Sequence, residues 1–130
     1  MPYLLDTTVL AEVLRATPHP GLVRRLCQVQ TRDRWTSVIS VSQLLVAARL
    51  DRKPRLMQEV VRLVAAIRVA PYDLAAAQVF ARFRAGGPAD TIIDDTMIAA
   101  IASSRDFVLV TRRMEVFQQF DGLRLENWTG

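Results

Sequence analysis

Tyr3-Leu4-Leu5-Asp6-Thr7-Thr8-Val9-Leu10 sets the pattern for the whole chain. Three consecutive apolar residues read as a short strand buried on both faces. The run stops at Asp6. Thr7 and Thr8 can start a helix whose apolar face carries Val9, Leu10, Val13 and Leu14. Beyond a turn at Thr17-Pro18-His19-Pro20-Gly21, Leu22, Leu26 and Val29 return at helical spacing. A second strand is expected over residues 35–38. Ser40 and Ser42 offer caps for the helix after it, which carries Leu44, Leu45 and Ala48 and runs to about residue 50. Asp51-Arg52-Lys53-Pro54 interrupts this pattern. Leu56, Met57, Val60, Val61 and Val64 then resume it, with Arg55, Glu59 and Arg62 on another side.

A third strand fits residues 67–70. Asp73 can cap a helix whose inner face is expected to hold Leu74, Ala77, Phe80 and Phe83, and Ala85-Gly86-Gly87-Pro88 reads as a loop. A helix over 94–104, a strand over 107–110, a short helix over 114–120 and a last strand over 123–126 complete the chain. No Asn-Gly or Asp-Gly hairpin separates two strand candidates, since Asp121-Gly122 follows a helix. This alternation calls for crossover connections and a parallel sheet covered by helices on both faces. The expected fold class is α/β with three layers. Its 130 residues suit a single domain over 1–130, since domains usually run to about 100–150 residues.

The chain is 51% apolar, enough for a real core and against intrinsic disorder. It has no uninterrupted apolar run of about 18 residues, hence no expected membrane span, and MPYLLD shows no secretory signal. Cys27 is the only cysteine and cannot form an internal disulfide, so a cytoplasmic location is expected. The net charge is +4, and of the 17 basic residues only Lys53 is not arginine. Arginine forks suit phosphate oxygens, but arginine-favouring codon usage explains the same composition. Arg24, Arg25, Arg49, Arg52 and Arg112 are candidates for a phosphate path or for ordinary solvated surface. Trp35, Leu50 and Phe83 suit either an exposed apolar patch or the core.

Several chemistries lack their parts. His19, the only histidine, sits between two prolines, which disfavours a His-based triad or a zinc site. Cys27 falls with Val23 and Leu26 on an apolar face and is expected to be a buried structural thiol. The chain contains neither GxxxxGK[ST] nor GxGxxG. Oxygen ligands remain: Asp6, Asp94 and Asp95, with Glu12 or Glu115 in reserve, a set that suits Mg²⁺ or Mn²⁺. Asp6 ends a strand that usually lies mid-sheet, where a helix cap and a functional carboxylate explain it equally well. Helix-dipole stabilisation accounts for one acid at 94–95 but less easily for two. Asp95 shares a thin face with Ile98, Ala99 and Ala102 that carries it inward, while Asp94 points about 100° away.

With these residues in view, the chain resembles the PIN-domain ribonucleases, and among them the VapC-type toxins of type II toxin–antitoxin pairs. Leu5-Asp6-Thr7-Thr8-Val9-Leu10 resembles their opening motif, Ser37-Val38-Ile39-Ser40-Val41-Ser42-Gln43-Leu44 the second, and Asp95-Thr96-Met97-Ile98-Ala99-Ala100 the third. Leu109-Val110-Thr111-Arg112, followed by Gly122-Leu123 and Glu126-Asn127-Trp128, resembles the close. The resemblance implies a PIN-like fold with a central parallel sheet of about five strands. It further implies a divalent-metal-dependent endoribonuclease using Mg²⁺, with Mn²⁺ as a substitute. Such a protein acts on RNA, forms a homodimer or higher oligomer, and is silenced by a cognate antitoxin, with no membrane partner. Carried over by position, Asp6 and Asp95 are the metal-holding acids and Gln43 stands at the third catalytic position. Asp94, Thr7, Thr111 and Arg113 are possible supporting residues.

Two positions depart from the pattern. Gln43 stands where glutamate is usual, and Arg113 where Asn or Asp is usual. A neutral amide binds Mg²⁺ more weakly than a carboxylate, and an arginine beside bound metal is repelled by it unless it turns to a phosphate. Asp94 and Glu115 would restore charge only by turning inward. The expectation is a one-metal or weakly metal-binding site with reduced nuclease activity. The alternative is an impaired PIN domain that binds RNA or an antitoxin without cutting. A phosphoryl-accepting receiver domain fits poorly, because its lysine would have to be Lys53, in a polar turn.

Overall fold

The computed structural model describes residues 1–87 and 90–130. Five parallel strands form one sheet in the order β3-β2-β1-β4-β5: β1 (Tyr3–Leu5), β2 (Arg34–Ser37), β3 (Arg68–Ala70), β4 (Val108–Val110) and β5 (Leu125–Glu126). The chain lays β1 at the centre and steps outward to β2 and β3. It then returns to the other side of β1 for β4 and β5. The direction of winding therefore reverses between β1 and β4, where Leu5 is paired with Val110. In open parallel sheets the crevice beyond the strand ends at such a reversal is where working groups collect.

Seven helices cover the sheet among the described residues: α1 (Thr7–Val13), α2 (Pro20–Gln28), α3 (Val38–Asp51), α4 (Pro54–Ala66), α5 (Leu74–Gly86), α6 (Ile93–Ser104) and α7 (Met114–Phe117). Side-chain alternation along the strands sorts them into two layers. Leu4 and Leu109 face a core built with Ala76, Phe83, Ile98, Ile101 and Phe117, from α5, α6 and α7. Leu5 and Val110, one residue on, face the opposite core with Leu10, Leu22, Leu44 and Val60, from α1 to α4. The three-layer α/β expectation is met.

The boundaries show where local pattern was overruled. Val38 starts α3 instead of ending β2, because the Ser37 hydroxyl, not Ser40 or Ser42, accepts the Ser40 amide and caps the helix. Ile67 lies outside β3, β4 begins one residue late, and neither α7 nor β5 fills its expected span. Asp73 caps α5 as expected, but it places Leu74 at the first helical position, where that side chain is 74% exposed. Phe83 is buried and Phe80 packs beside it as expected, while Ala76 and not Ala77 completes the buried stripe. Ala85 and Gly86 continue α5 instead of forming a loop, and Pro88 lies outside the described residues.

On α2 and at its C-cap the sheet selects Leu22 and Val29 for burial, with Leu26 packed against them. Val23 and Cys27, each one residue further on, are rotated away and exposed, so the thiol is not buried. His19 caps α2, its Nδ1 accepting from the Gly21 and Leu22 amides. Phe83 is buried, Trp35 packs against the core, and only Leu50 of the three patch candidates stands in solvent. No helix among the described residues is long and apolar enough to cross a membrane.

Candidate active site

Asp6 follows directly from β1 at the point of reversal, with its amide donating to Val110 O at 2.9 Å. Its carboxylate is fully buried. An unpartnered carboxylate there would cost far more than any packing gain returns, and three donors meet it. The Thr7 amide reaches Oδ1 at 2.6 Å, while the hydroxyls of Thr8 and Thr111 reach Oδ2 at 3.0 and 2.8 Å. Asp6 is thus both the N-cap of α1 and a group aimed at the crevice.

Asp95 arrives from the other side of the crevice. Ile98, Ala99 and Ala102 on its face of α6 are fully buried, and the small alanines let the helix lie close to the sheet. The Asp95 side chain is 5% exposed. Arg113, after β4, joins the two acids: Nη2 lies 2.5 Å from Asp95 Oδ1 and Nε lies 4.0 Å from Asp6 Oδ2. Burial works against the guanidinium's charge. The hydrogen bond and charge of Asp95, aided by Asp6 and Glu115, outweigh it and hold the pKa above the ordinary arginine value. Arg113 Nε is buried without a hydrogen-bond partner, so the guanidinium is only partly satisfied where it lies. Thr111 steadies the loop by accepting from the Arg113 amide at 2.9 Å.

Gln43 sits on the third side, inside a run of polar groups. Ser37 Oγ donates to Ser40 Oγ at 3.2 Å, and Ser40 Oγ and Thr7 Oγ1 lie 2.8 Å apart. Thr7 Oγ1 donates to Gln43 Oε1 at 2.5 Å, and Gln43 Nε2 donates to Asp94 Oδ2 at 3.1 Å. Asp94 is exposed, as its position on α6 requires, yet it reaches the site's edge through this amide. Glu115 is exposed and joins only through its charge on Arg113. Glu12 is buried on the face of α1 that also carries Thr8 and pairs with Arg15 and Arg112, not with the site's acids. Sequence reading brought Asp6, Asp95, Gln43, Thr7, Thr111, Arg113 and Asp94 to one place. Thr8 and Ser40 it missed as site residues, although a hydroxyl two residues after a buried aspartate is a recognisable partner for it.

A cation would meet a hard, oxygen-only donor set here. Among the described residues no three His, Cys, Asp or Glu side chains converge as a ready cage. Mg²⁺, however, commonly takes one or two carboxylates and completes its shell with water and substrate phosphate. Arg113 is itself the test of fit: a positive group already stands between Asp6 and Asp95, and two carboxylates against one guanidinium leave negative charge uncompensated. A divalent cation held by these two acids would have to take the place of the Arg113 guanidinium. A cleft of about 210 Å³, lined by Asp95, Arg113, Gln119 and Phe120 among others, opens beside it.

Comparison with known proteins identifies the family. The PIN domain family matches residues 3–122. The tRNA(fMet)-specific endonuclease VapC of Salmonella typhimurium is 28% identical, with 97% of each chain covered. Toxin FitB of Neisseria gonorrhoeae is 30% identical over 96% of this chain and 97% of its own. In the crystal structure of DNA-bound VapBC from Salmonella typhimurium, a chain 26% identical superposes with a TM-score of 0.85, with 98% of each covered. Full-length matches of this kind, on a sheet whose reversal point gathers two buried aspartates, leave one assignment: the chain belongs to the PIN-domain family, alongside the VapC and FitB toxins.

Proposed function

We propose that residues 1–130 act as one PIN-like unit, a metal-dependent endoribonuclease serving as the toxin of a type II toxin–antitoxin pair in the cytoplasm. The observation that carries this reading is the convergence of Asp6 and Asp95, both buried, on a single cation. Asp6 and Asp95 would hold Mg²⁺, or Mn²⁺ in its place. The metal would supply Lewis acidity toward the phosphate and a more acidic bound water. Thr8, Thr111 and the Thr7 amide hold the Asp6 carboxylate fixed in direction. Gln43, oriented by Thr7 and Asp94, offers a neutral polar edge where a carboxylate would have added charge. Arg113, if displaced from Asp95, would offer its guanidinium fork to a substrate phosphate at the same site. Metal affinity is therefore weaker than in a site with a third acid, and activity is correspondingly reduced.

Likeness to a chain of DNA-bound VapBC and to toxin FitB supports a cognate antitoxin as partner, and the proposed assembly is a homodimer or higher oligomer. The test is cleavage of an RNA panel that includes tRNA(fMet), with Mg²⁺, with Mn²⁺ and with EDTA. Asp6→Asn and Asp95→Asn are each expected to lose cutting, and Gln43→Glu to raise both metal affinity and rate. Cutting that survives both aspartate changes would place the chemistry elsewhere. Gln43 and Arg113 favour one further reading, a PIN domain that binds without cutting. A silent wild type rescued by Gln43→Glu would support it.

A further inference from the structure

Glu12 is a buried acid that the site above does not use. At 3% exposed, it accepts from Arg15 Nη1 at 3.1 Å, from Arg112 Nη1 at 3.0 Å and from the His19 amide at 3.0 Å. The two arginines come from the end of α1 and from the residue after Thr111, about a hundred positions apart in sequence. Their side chains are 64% and 42% exposed. Among the described residues only Nη1 of each is engaged, so the Nε and Nη2 edges of both forks are free. One carboxylate cannot neutralise two guanidiniums, and it lies beneath them. The face turned to solvent is cationic.

This pair stands at the rim of the candidate active site. The Arg112 amide lies 3.4 Å from Thr8 Oγ1, which donates to Asp6 Oδ2, and Arg112 is the chain neighbour of both Thr111 and Arg113. We propose that Glu12 anchors Arg15 and Arg112 as a two-pronged grip on a backbone phosphate of RNA flanking the cleaved bond. Planar forks with free N–H edges match phosphate oxygens in pairs. Anchoring one nitrogen of each on a buried carboxylate removes much of the side-chain freedom that binding would otherwise have to freeze. The proposal rests on RNA being the substrate.

The experiment is the salt dependence of binding to a short labelled single-stranded RNA, in EDTA so that no strand is cut. It compares wild type, Arg15→Gln, Arg112→Gln and the double variant, each checked by thermal melting. The double variant is expected to lower the slope of log K against log salt by about 0.7, the value for one phosphate contact on a single strand, and each single change to lower it by part of that. Folded variants with wild-type slopes would overturn the proposal. So would unchanged slopes accompanied by weaker antitoxin binding, which would give the pair to the protein partner. Wild-type cleavage of the same RNA with Mg²⁺ is measured alongside. Cutting with unchanged slopes removes the grip alone, whereas a wild type that neither binds nor cuts removes the ribonuclease reading as well.

Discussion

Arg113 holds two buried acids together, and its removal separates stability from metal binding. Without it Asp95 loses its ion-pair partner and Asp6 loses a nearby cation. Breaking a fully buried pair costs about 3–5 kcal/mol. Arg113 is a third exposed, so solvent screening lowers the expectation for Arg113→Asn to about 1–3 kcal/mol. The same change exposes the acid pair to a divalent ion that no longer competes with a guanidinium. Arg113→Asn should therefore melt below wild type in EDTA and recover more than wild type when Mg²⁺ is added, because a ligand bound only by the folded state stabilises it. Thermal shift across a Mg²⁺ titration checks both halves. Equal Mg²⁺ responses in the two proteins would mean that the guanidinium does not occupy the cation's place. Residue identities alone revealed that Arg113 breaks the expected pattern. Its bridging of Asp6 and Asp95 was not readable, because it depends on β4 lying directly beside β1.

The legibility of each element follows from how many solutions its apolar pattern allows. Tyr3-Leu4-Leu5 and Val108-Leu109-Val110 have one, burial on both faces; β1 lies where expected and β4 misses only its first residue. Residues 22–29 on α2 allow two faces, Leu22 with Leu26 or Val23 with Cys27, and only the sheet decides between them. On α5, Leu74-Ala75-Ala76-Ala77 gives almost no contrast, so only the first turn of the expected inner face is wrong, while Phe80 and Phe83 lie where expected. The alanines of α6 were legible, and they tie packing to the site. Ala99 lies one turn beyond Asp95 and is fully buried. Ala99→Leu should cost about 1–3 kcal/mol through overpacking, and by lifting the helix it should also weaken Mg²⁺-dependent cleavage. Asp73→Ala is the control. It removes the α5 cap, at about 1 kcal/mol, beside Arg105 at the other end of α6. Denaturant unfolding with parallel cleavage assays should show lost stability in both variants and lost activity only in Ala99→Leu. Equal activities would detach the thin face from the positioning of Asp95.

At the scale of the whole molecule, Glu12 ties together three distant pieces of chain: the end of α1, the first turn of α2 through the His19 amide, and the loop after β4 through Arg112. The Arg15 hydrogen bond lowers its pKa below 4.5. Burial acts in the opposite sense, and the His19 amide and the charges of Arg15 and Arg112 reinforce the lowering. In the unfolded chain these partners are lost and the carboxyl titrates at its ordinary value. The folded state thus binds a proton less readily than the unfolded state, and stability rises with pH through that interval. The contribution is complete above the unfolded pKa, near 4.5, and disappears as pH falls through the lower folded value. Glu12→Gln removes the charge while keeping the side chain's shape. It should be less stable than wild type at pH 7, with the gap closing progressively below about pH 4.5. Urea unfolding of both proteins across this range reads the difference directly. A gap that stays constant into acid would show that the three pieces are held by packing around Glu12 and not by its charge.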